Sequence, residues 1–232
     1  MPSSETRVEV LAKIMRSISG PVALAYSCQR EDTAALHLLL QAYAGGDGPG
    51  NLEVFTLNTH KLFPETEEYQ RDVEVFFGIA ITKYSPDPAE EKDLEAKLGE
   101  WGMRESLEHR HFCCDIRKVK PLGEILKNKS AWVTGLRASQ SVTRQDLKIL
   151  EYDEKFGLIK INPLYDWTDE ELEAYTQKFS LPENPLYSKG YKSIGCAPCT
   201  RPVKEGEDIR AGRWWWENPE HKECGLHVKQ GA

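Results

Sequence analysis

Long apolar runs are missing from this 232-residue chain. No stretch approaches the roughly 20 apolar residues needed to span a bilayer. Met1 to Val10 is polar, carries charges of both signs and lacks the apolar core of a signal peptide, so a cytoplasmic location is expected. An excess of positive charge is missing too. The formal net charge is −7, which argues against sequence-independent binding to nucleic acid or an anionic membrane. A local basic pocket for a small anion stays open. No internal repeat is visible. What is present is an ordinary globular composition, 40% hydrophobic and 29% charged, enough for one large domain or one domain with a substantial tail.

Strand and helix signals alternate through the first part of the chain. Residues 22–27 form a short apolar run entering a turn and read as a buried strand. Residues 31–44, rich in Ala and Leu, read as a helix ended by the Gly- and Pro-rich stretch 45–50. Residues 52–57 are a second strand. Pro64 opens a helix with acids in its first turn, running to about Phe77. A third strand is expected at 79–84, a charged surface helix at 88–98 and a helix at 115–127. Further strands are expected at 131–135 and 158–161. Thr168-Asp169-Glu170-Glu171 is a capping-box start to a helix ending near Phe179. This alternation implies an α/β fold, a parallel sheet with helices on both faces. Periodicity fades after Pro182. The expected division is therefore a nucleotide-binding α/β domain over 1–181 and a C-terminal segment over 182–232 that packs on it and ends in a mobile tail.

The turn after the first strand, residues 27–33, sits where open α/β sheets bind ligands, at a helix N-terminus that favours anions. It holds no glycine, so it is neither a Walker A loop nor a dinucleotide fingerprint. The bland alternative is an ordinary strand-to-helix turn. Further on, a strand ends at Gly135, where a ligand could approach closely. Arg137 and Arg144 follow, Arg210 and Arg213 lie downstream, and Lys118 stands four residues after Cys114. Arginine's planar fork matches phosphate and sulfate oxygens, so the set would make an anion site if the fold gathers it. Each taken singly is as well read as a solvated surface charge.

Six cysteines in a compartment where structural disulfides are rare need another explanation. Four come as tight pairs, Cys113-Cys114 and the CxxC of Cys196 and Cys199. Four thiolates brought together would hold a metal or an iron–sulfur cluster, and spacing alone does not separate iron–sulfur from zinc. A redox dithiol and buried structural thiols are the alternatives. Cys224 stands alone among Lys222, Glu223, Gly225 and His227, and reads as a reactive nucleophile. Cys28 reads as a small buried apolar residue. Trp214-Trp215-Trp216 reads as packing that anchors the tail rather than as a binding platform.

Together these motifs resemble the assimilatory, thioredoxin-dependent adenylyl-sulfate reductases. The resemblance rests on Cys113-Cys114-Asp115-Ile116-Arg117-Lys118, Thr134-Gly135-Leu136-Arg137 and Gly195-Cys196-Ala197-Pro198-Cys199. It continues in Arg213-Trp214-Trp215-Trp216-Glu217 and Glu223-Cys224-Gly225-Leu226-His227. It covers roughly residue 20 to the end. It implies an adenine-nucleotide α-hydrolase-like fold and a 4Fe–4S cluster on Cys113, Cys114, Cys196 and Cys199. It also implies a nucleophile at Cys224 that forms an S-sulfocysteine resolved by thioredoxin. Lys118, Arg144, Arg210, Arg213 and His227 would surround the phosphosulfate, and Ser27, Leu57 and Gly135 would hold the adenosine. The family often has glycine where Gln29 stands, and usually Leu-Asp-Thr-Gly where this chain reads Leu57-Asn58-Thr59-His60. The expected partners are adenylyl sulfate and thioredoxin, with no nucleic acid and no membrane, and a homo-oligomer stays open. Two other readings stand beside this one. One is a 3′-phosphoadenylyl-sulfate or dual-substrate reductase, a related class that generally lacks both cysteine pairs. The other is a zinc-stabilised, non-enzymatic nucleotide-binding module.

Overall fold

A computed structural model describes residues 4–44, 52–140 and 144–218 of the chain. Its centre is the strand Val22–Ala25 (β1), whose first three residues are wholly buried. Alternation along β1 explains why. Val22 and Leu24 point into one core, while Ala23 points into a second core on the other face. A strand buried on both faces is what a parallel sheet covered by helices requires.

The remaining strands are Leu52–Leu57 (β2), Thr82–Tyr84 (β3), Ala131–Val133 (β4), Leu150–Asp153 (β5) and Leu158–Ile161 (β6). Their order is β3-β2-β1-β4-β6-β5. Pairings from β3 to β6 are parallel, and β5 joins β6 antiparallel. The expected parallel sheet thus gains one antiparallel edge strand. β5 carries exposed Leu150 and Tyr152, so it lacks the apolar run that marks the central strands. The Asp153 carboxylate accepts hydrogen bonds from the backbone N–H groups of Lys155 and Phe156, closing the turn into β6.

Seven α-helices are described: Ser4–Ser17 (α1), Arg30–Tyr43 (α2), Pro64–Phe77 (α3), Pro88–Leu98 (α4), Leu107–Cys114 (α5), Lys120–Leu126 (α6) and Asp169–Lys178 (α7). Leu11 of α1, the Leu36-Leu38-Leu39 side of α2, Val73 of α3 and Leu172 of α7 share the larger core. Leu122, Ile125 and Leu126 of α6 pack with Phe55 and Trp132 on the opposite face. The helices therefore cover both faces of the sheet. The Thr168 hydroxyl accepts from Glu171 N, and the Glu171 carboxylate accepts from Thr168 N, which completes the capping box at α7.

Between α5 and α6 the chain does not begin a new helix after the cysteine pair. It runs on through a π-helical stretch, Asp115–Val119. Such wide turns are uncommon and often occur at functional sites. Here the wide turn carries Arg117 and Lys118. Arg117 is buried, donates to Thr59 O at 2.7 Å and pairs with Glu91 and Glu95 of α4.

Residues 182–218 are laced to the rest of the chain by hydrogen bonds. Tyr69 OH donates to Pro182 O at 2.8 Å, Ala197 N donates to Lys61 O at 2.7 Å, and Ile194 N donates to the Gln29 side chain at 3.0 Å.

Candidate active site

The strand order reverses around β1, with β2 on one side and β4 on the other. Ligands of open α/β sheets lie outside the strand carboxyl ends at such a point. A cleft of about 180 Å³ opens there, and Ser27, Leu57 and Gly135 line it, one beyond or at the end of each of these strands. Ser27 N and Oγ both donate to Asp32 Oδ2, at 2.7 and 2.6 Å, which fixes the β1–α2 turn. Burial raises the Asp32 carboxyl to about 6, only partly offset by these bonds. Gly135 must lack a side chain. A Cβ there would overlap the Asp32 carboxylate and lie 2.9 Å from Glu31 Cβ.

The cleft is also lined by cations. Lys118, Arg144, Arg210 and Arg213 line it, together with Lys192, which the sequence reading did not single out. In a chain of net charge −7 this is a concentrated basic site. Gly195 allows Arg213 its place, because a Cβ at Gly195 would lie 2.6 Å from Arg213 Cζ. Arg213 Nη1 donates to Ile194 O at 3.0 Å.

Arg137, expected with the anion, goes elsewhere. It is buried below the cleft and pairs with Glu31 at 2.9 Å and Asp169 at 2.5 Å. These acids sit in the first turns of α2 and α7, so the guanidinium joins two helix starts. Cys224 and His227 lie outside the described residues.

The four paired cysteines come together. Cys113, Cys114, Cys196 and Cys199 line one cavity, which shares Lys118, Cys196, Arg213 and Trp214 with the cleft. Lys61, Arg110 and Arg117 complete its cationic lining. Burial and the neighbouring Cys196 push the Cys113 thiol up, and the same two causes raise Cys199. Burial also opposes ionisation of Cys196, yet Lys118, a hydrogen bond with Thr59 and Arg213 together hold its thiol below the ordinary value. The Thr59 hydroxyl stands 3.3 Å from Cys196 Sγ. Nothing in the spacing of Leu57-Asn58-Thr59-His60 pointed to a contact between Thr59 and a cysteine. The Thr59 side chain finds the sulfur only because Arg117 and Ala197 hold the β2–α3 loop.

This donor set fits a thiolate-held group. Four thiolates need positive charge nearby, and the cavity supplies it. Trp214 Nε1 is buried and has no hydrogen-bond partner among the described residues, a cost that a sulfur-rich occupant would relieve. Among the described residues, no three histidine, cysteine or acidic side chains stand as ligands of a single metal ion.

The tryptophan run packs, as its sequence context suggested. Trp214 is buried with Met103 and the cysteines. The Arg104 guanidinium lies over Trp101, Trp215 and Trp216 and donates to Pro198 O inside the CxxC turn. Cys28 is buried with its backbone in the left-handed region, φ +62, and burial and Asp32 push its thiol well above the ordinary range. His60 also has positive φ, +54, and its ring reaches Glu91 and Ser85.

The model of the phosphoadenosine phosphosulfate reductase domain matches residues 21–202. Adenosine 5′-phosphosulfate reductase of Allochromatium vinosum is 43% identical over 233 residues, covering 100% of this chain and 88% of that protein. The chain therefore belongs to the phosphoadenosine phosphosulfate reductase family. Among solved structures, phosphoadenylyl-sulfate reductase from Candida auris matches with a TM-score of 0.60 at 24% identity, over 85% of this chain and 97% of that one. The ammonia-dependent NAD synthetase of Campylobacter jejuni matches with a TM-score of 0.54 at 14% identity, over 80% and 76%. These likenesses concern the fold, which is of the adenine-nucleotide α-hydrolase kind.

Proposed function

We propose that this protein reduces adenylyl sulfate to sulfite and AMP in assimilatory sulfate reduction, with thioredoxin as reductant. The observation that carries the reading is a single cleft, lined by strand ends and by five cations, that adjoins a cavity lined by four cysteines. The 43% identity to a named adenosine 5′-phosphosulfate reductase supports the choice of nucleotide.

Ser27, Leu57 and Gly135 hold the adenosine, and Lys118, Arg144, Arg210, Arg213 and His227 meet the phosphosulfate. The Cys224 thiolate attacks the sulfonyl sulfur. A sulfur–sulfur bond forms, the sulfur–oxygen bond to AMP breaks, and AMP leaves with that electron pair. The cations stabilise charge on the departing phosphate. A thioredoxin thiolate then attacks the Cys224 sulfur, and sulfite leaves with the electrons of the sulfur–sulfur bond. The second thioredoxin thiol displaces Cys224, regenerating its thiolate and leaving oxidised thioredoxin.

Cys113, Cys114, Cys196 and Cys199 would hold a 4Fe–4S cluster, which when bound would supply local electrostatics and fix the position of the Lys118 turn. Electrons need not pass through it, since thioredoxin supplies both. We assign residues 1–181 to nucleotide binding and 182–232 to the segment that carries the CxxC, the arginine pair and Cys224, and we place the reaction in the cytoplasm.

Mass spectrometry after incubation with adenylyl sulfate alone tests the mechanism. Cys224 should gain a sulfonate of roughly 80 Da that reduced thioredoxin removes. An unmodified Cys224 would sink the mechanism. Rates with adenylyl sulfate and its 3′-phosphorylated form, measured side by side, test the nucleotide. An iron and sulfide assay tests the cluster against zinc.

A further inference from the structure

The CxxC and the vicinal cysteine pair sit on segments far apart in sequence, and one buried ion pair joins them from behind. Arg110 lies on α5, three residues before Cys113 and four before Cys114, so all three share one side of the helix. It is wholly buried. Its Nε donates to Glu217 Oε1 at 2.6 Å, and its guanidinium lies over the Trp214 ring, 4.6 Å from the centroid. Trp214 is in turn pinned to the CxxC, because Trp214 N donates to Cys199 O at 3.2 Å and Arg201 N to Gly212 O at 3.0 Å. The connection therefore runs from Cys113 and Cys114 through Arg110 and Glu217 to Trp214 and Cys199.

We propose that Arg110 and Glu217 are positioning residues that hold the two cysteine pairs at a fixed separation, and so keep the thiolate-held group in place. This rests on the cluster reading above. Two observations favour position over bulk stability. The Glu217 side chain is only 8% exposed, yet its second oxygen, Oε2, has no hydrogen-bond partner among the described residues. A buried ion pair with an unsatisfied acceptor is a poor stabiliser, because desolvation offsets much of the attraction. What the pair does supply is direction, since the Nε–Oε1 bond and the stacked indole fix the guanidinium from two sides. The same pair anchors the chain seven residues before Cys224.

The test is the rate of cluster loss, read as iron and sulfide content and as decay of absorbance near 400 nm under an anaerobic chelator challenge. The main variant is Arg110→Met/Glu217→Leu, since apolar replacement of a buried ion pair is often neutral for folding. Melting should stay close to wild type while cluster loss becomes about fivefold faster or more. A double variant that melts like wild type and keeps its cluster at the wild-type rate overturns the inference. Should the double variant melt lower or not fold, Glu217→Gln decides, because it keeps shape and an acceptor but removes charge. Its cluster should be lost about twofold faster or more, and a wild-type rate overturns the inference. Wild-type protein free of iron and sulfide would overturn the cluster reading itself, which is a distinguishable failure.

Discussion

Part of the cleft is built from strand ends, whereas the adjoining cysteine cavity is built from segments that lie off the sheet. Ser27, Leu57 and Gly135 sit where β1, β2 and β4 leave a core that is buried on both faces. Their positions follow from parallel pairing and need nothing further. The cysteine region has a small apolar cluster of its own around Met103 and Trp214, and leans on charged contacts: Arg104 on Pro198 O, Arg110 on Glu217, Arg117 on Glu91 and Thr59 O. Five cations line the cavity with the four thiols, and three of them, Lys61, Arg110 and Arg117, are also paired with carboxylates. One region is thus fixed by hydrophobic burial, and the other by ion pairs and hydrogen bonds around a small apolar cluster. Lys118, Cys196, Arg213 and Trp214 belong to both.

Several experiments would break or sharpen this contrast. The largest effect is expected from Cys224→Ser, which should lower sulfite release roughly a thousandfold or more while AMP affinity stays unchanged. An active serine variant would defeat the proposed chemistry. Removing the proposed cluster should come next. The far-UV circular dichroism of the sheet and its helices should persist, and AMP should still bind, while turnover is lost. Unfolding of the whole chain on cluster removal would show that the two regions are not separable.

Gly135→Ala probes the strand-end region alone. The added methyl overlaps the Asp32 carboxylate, and overpacking of this kind costs about 1–3 kcal/mol. AMP affinity should fall by about tenfold or more, with iron and sulfide content as in wild type. Retained affinity would remove Gly135 from the adenosine contacts.

The smallest effect is expected from Asp32. Burial holds its carboxyl at about 6, against 3.8 when solvated. The folded chain therefore keeps a proton that the unfolded chain releases near pH 4. Stability from the neutral form is complete below that and is lost as pH rises through about 6. The amide of Asp32→Asn does not ionise. Between pH 4 and 7 the variant should gain on wild type by about 1–3 kcal/mol in thermal or denaturant melts. Parallel curves for the two proteins would mean that Asp32 titrates normally.

Much of the sheet was legible because its signals are local. The strands 52–57 and 158–161 and the helices 64–77 and 88–98 fall where the sequence set them, since glycine or proline and first-turn acids mark their edges. Three elements were not read. In α1, Leu11 and Met15 lie one helical turn apart on a buried face, just beyond the stretch 1–10 that was considered only as a leader. In α5, Ser106 caps the helix by accepting from His109 N, a signal that precedes the cysteine pair. The edge strand β5 has an Asp-x-x-x-Gly turn behind it, but its exposed residues give little periodicity. At the site, the gathering of Cys113 and Cys114 with Cys196 and Cys199 was expected from residue type and resemblance. The burial of Arg137 against Glu31 and Asp169 was not, because a loop arginine reads the same whether it meets a ligand or a helix start.

The sequence by itself determined the alternation of strands and helices, the acidic character of the chain and the presence of thiols in two pairs apart from Cys224. Each of these depends on residues close together along the chain. Only the tertiary structure decided which cations face the cleft and which are spent on ion pairs. It also decided that Thr59 meets Cys196, and that Arg110 and Glu217 stand behind the two cysteine pairs. Those juxtapositions join segments remote in sequence, and they exist only once strand pairing and two-sided burial have fixed where every loop of the sheet must go.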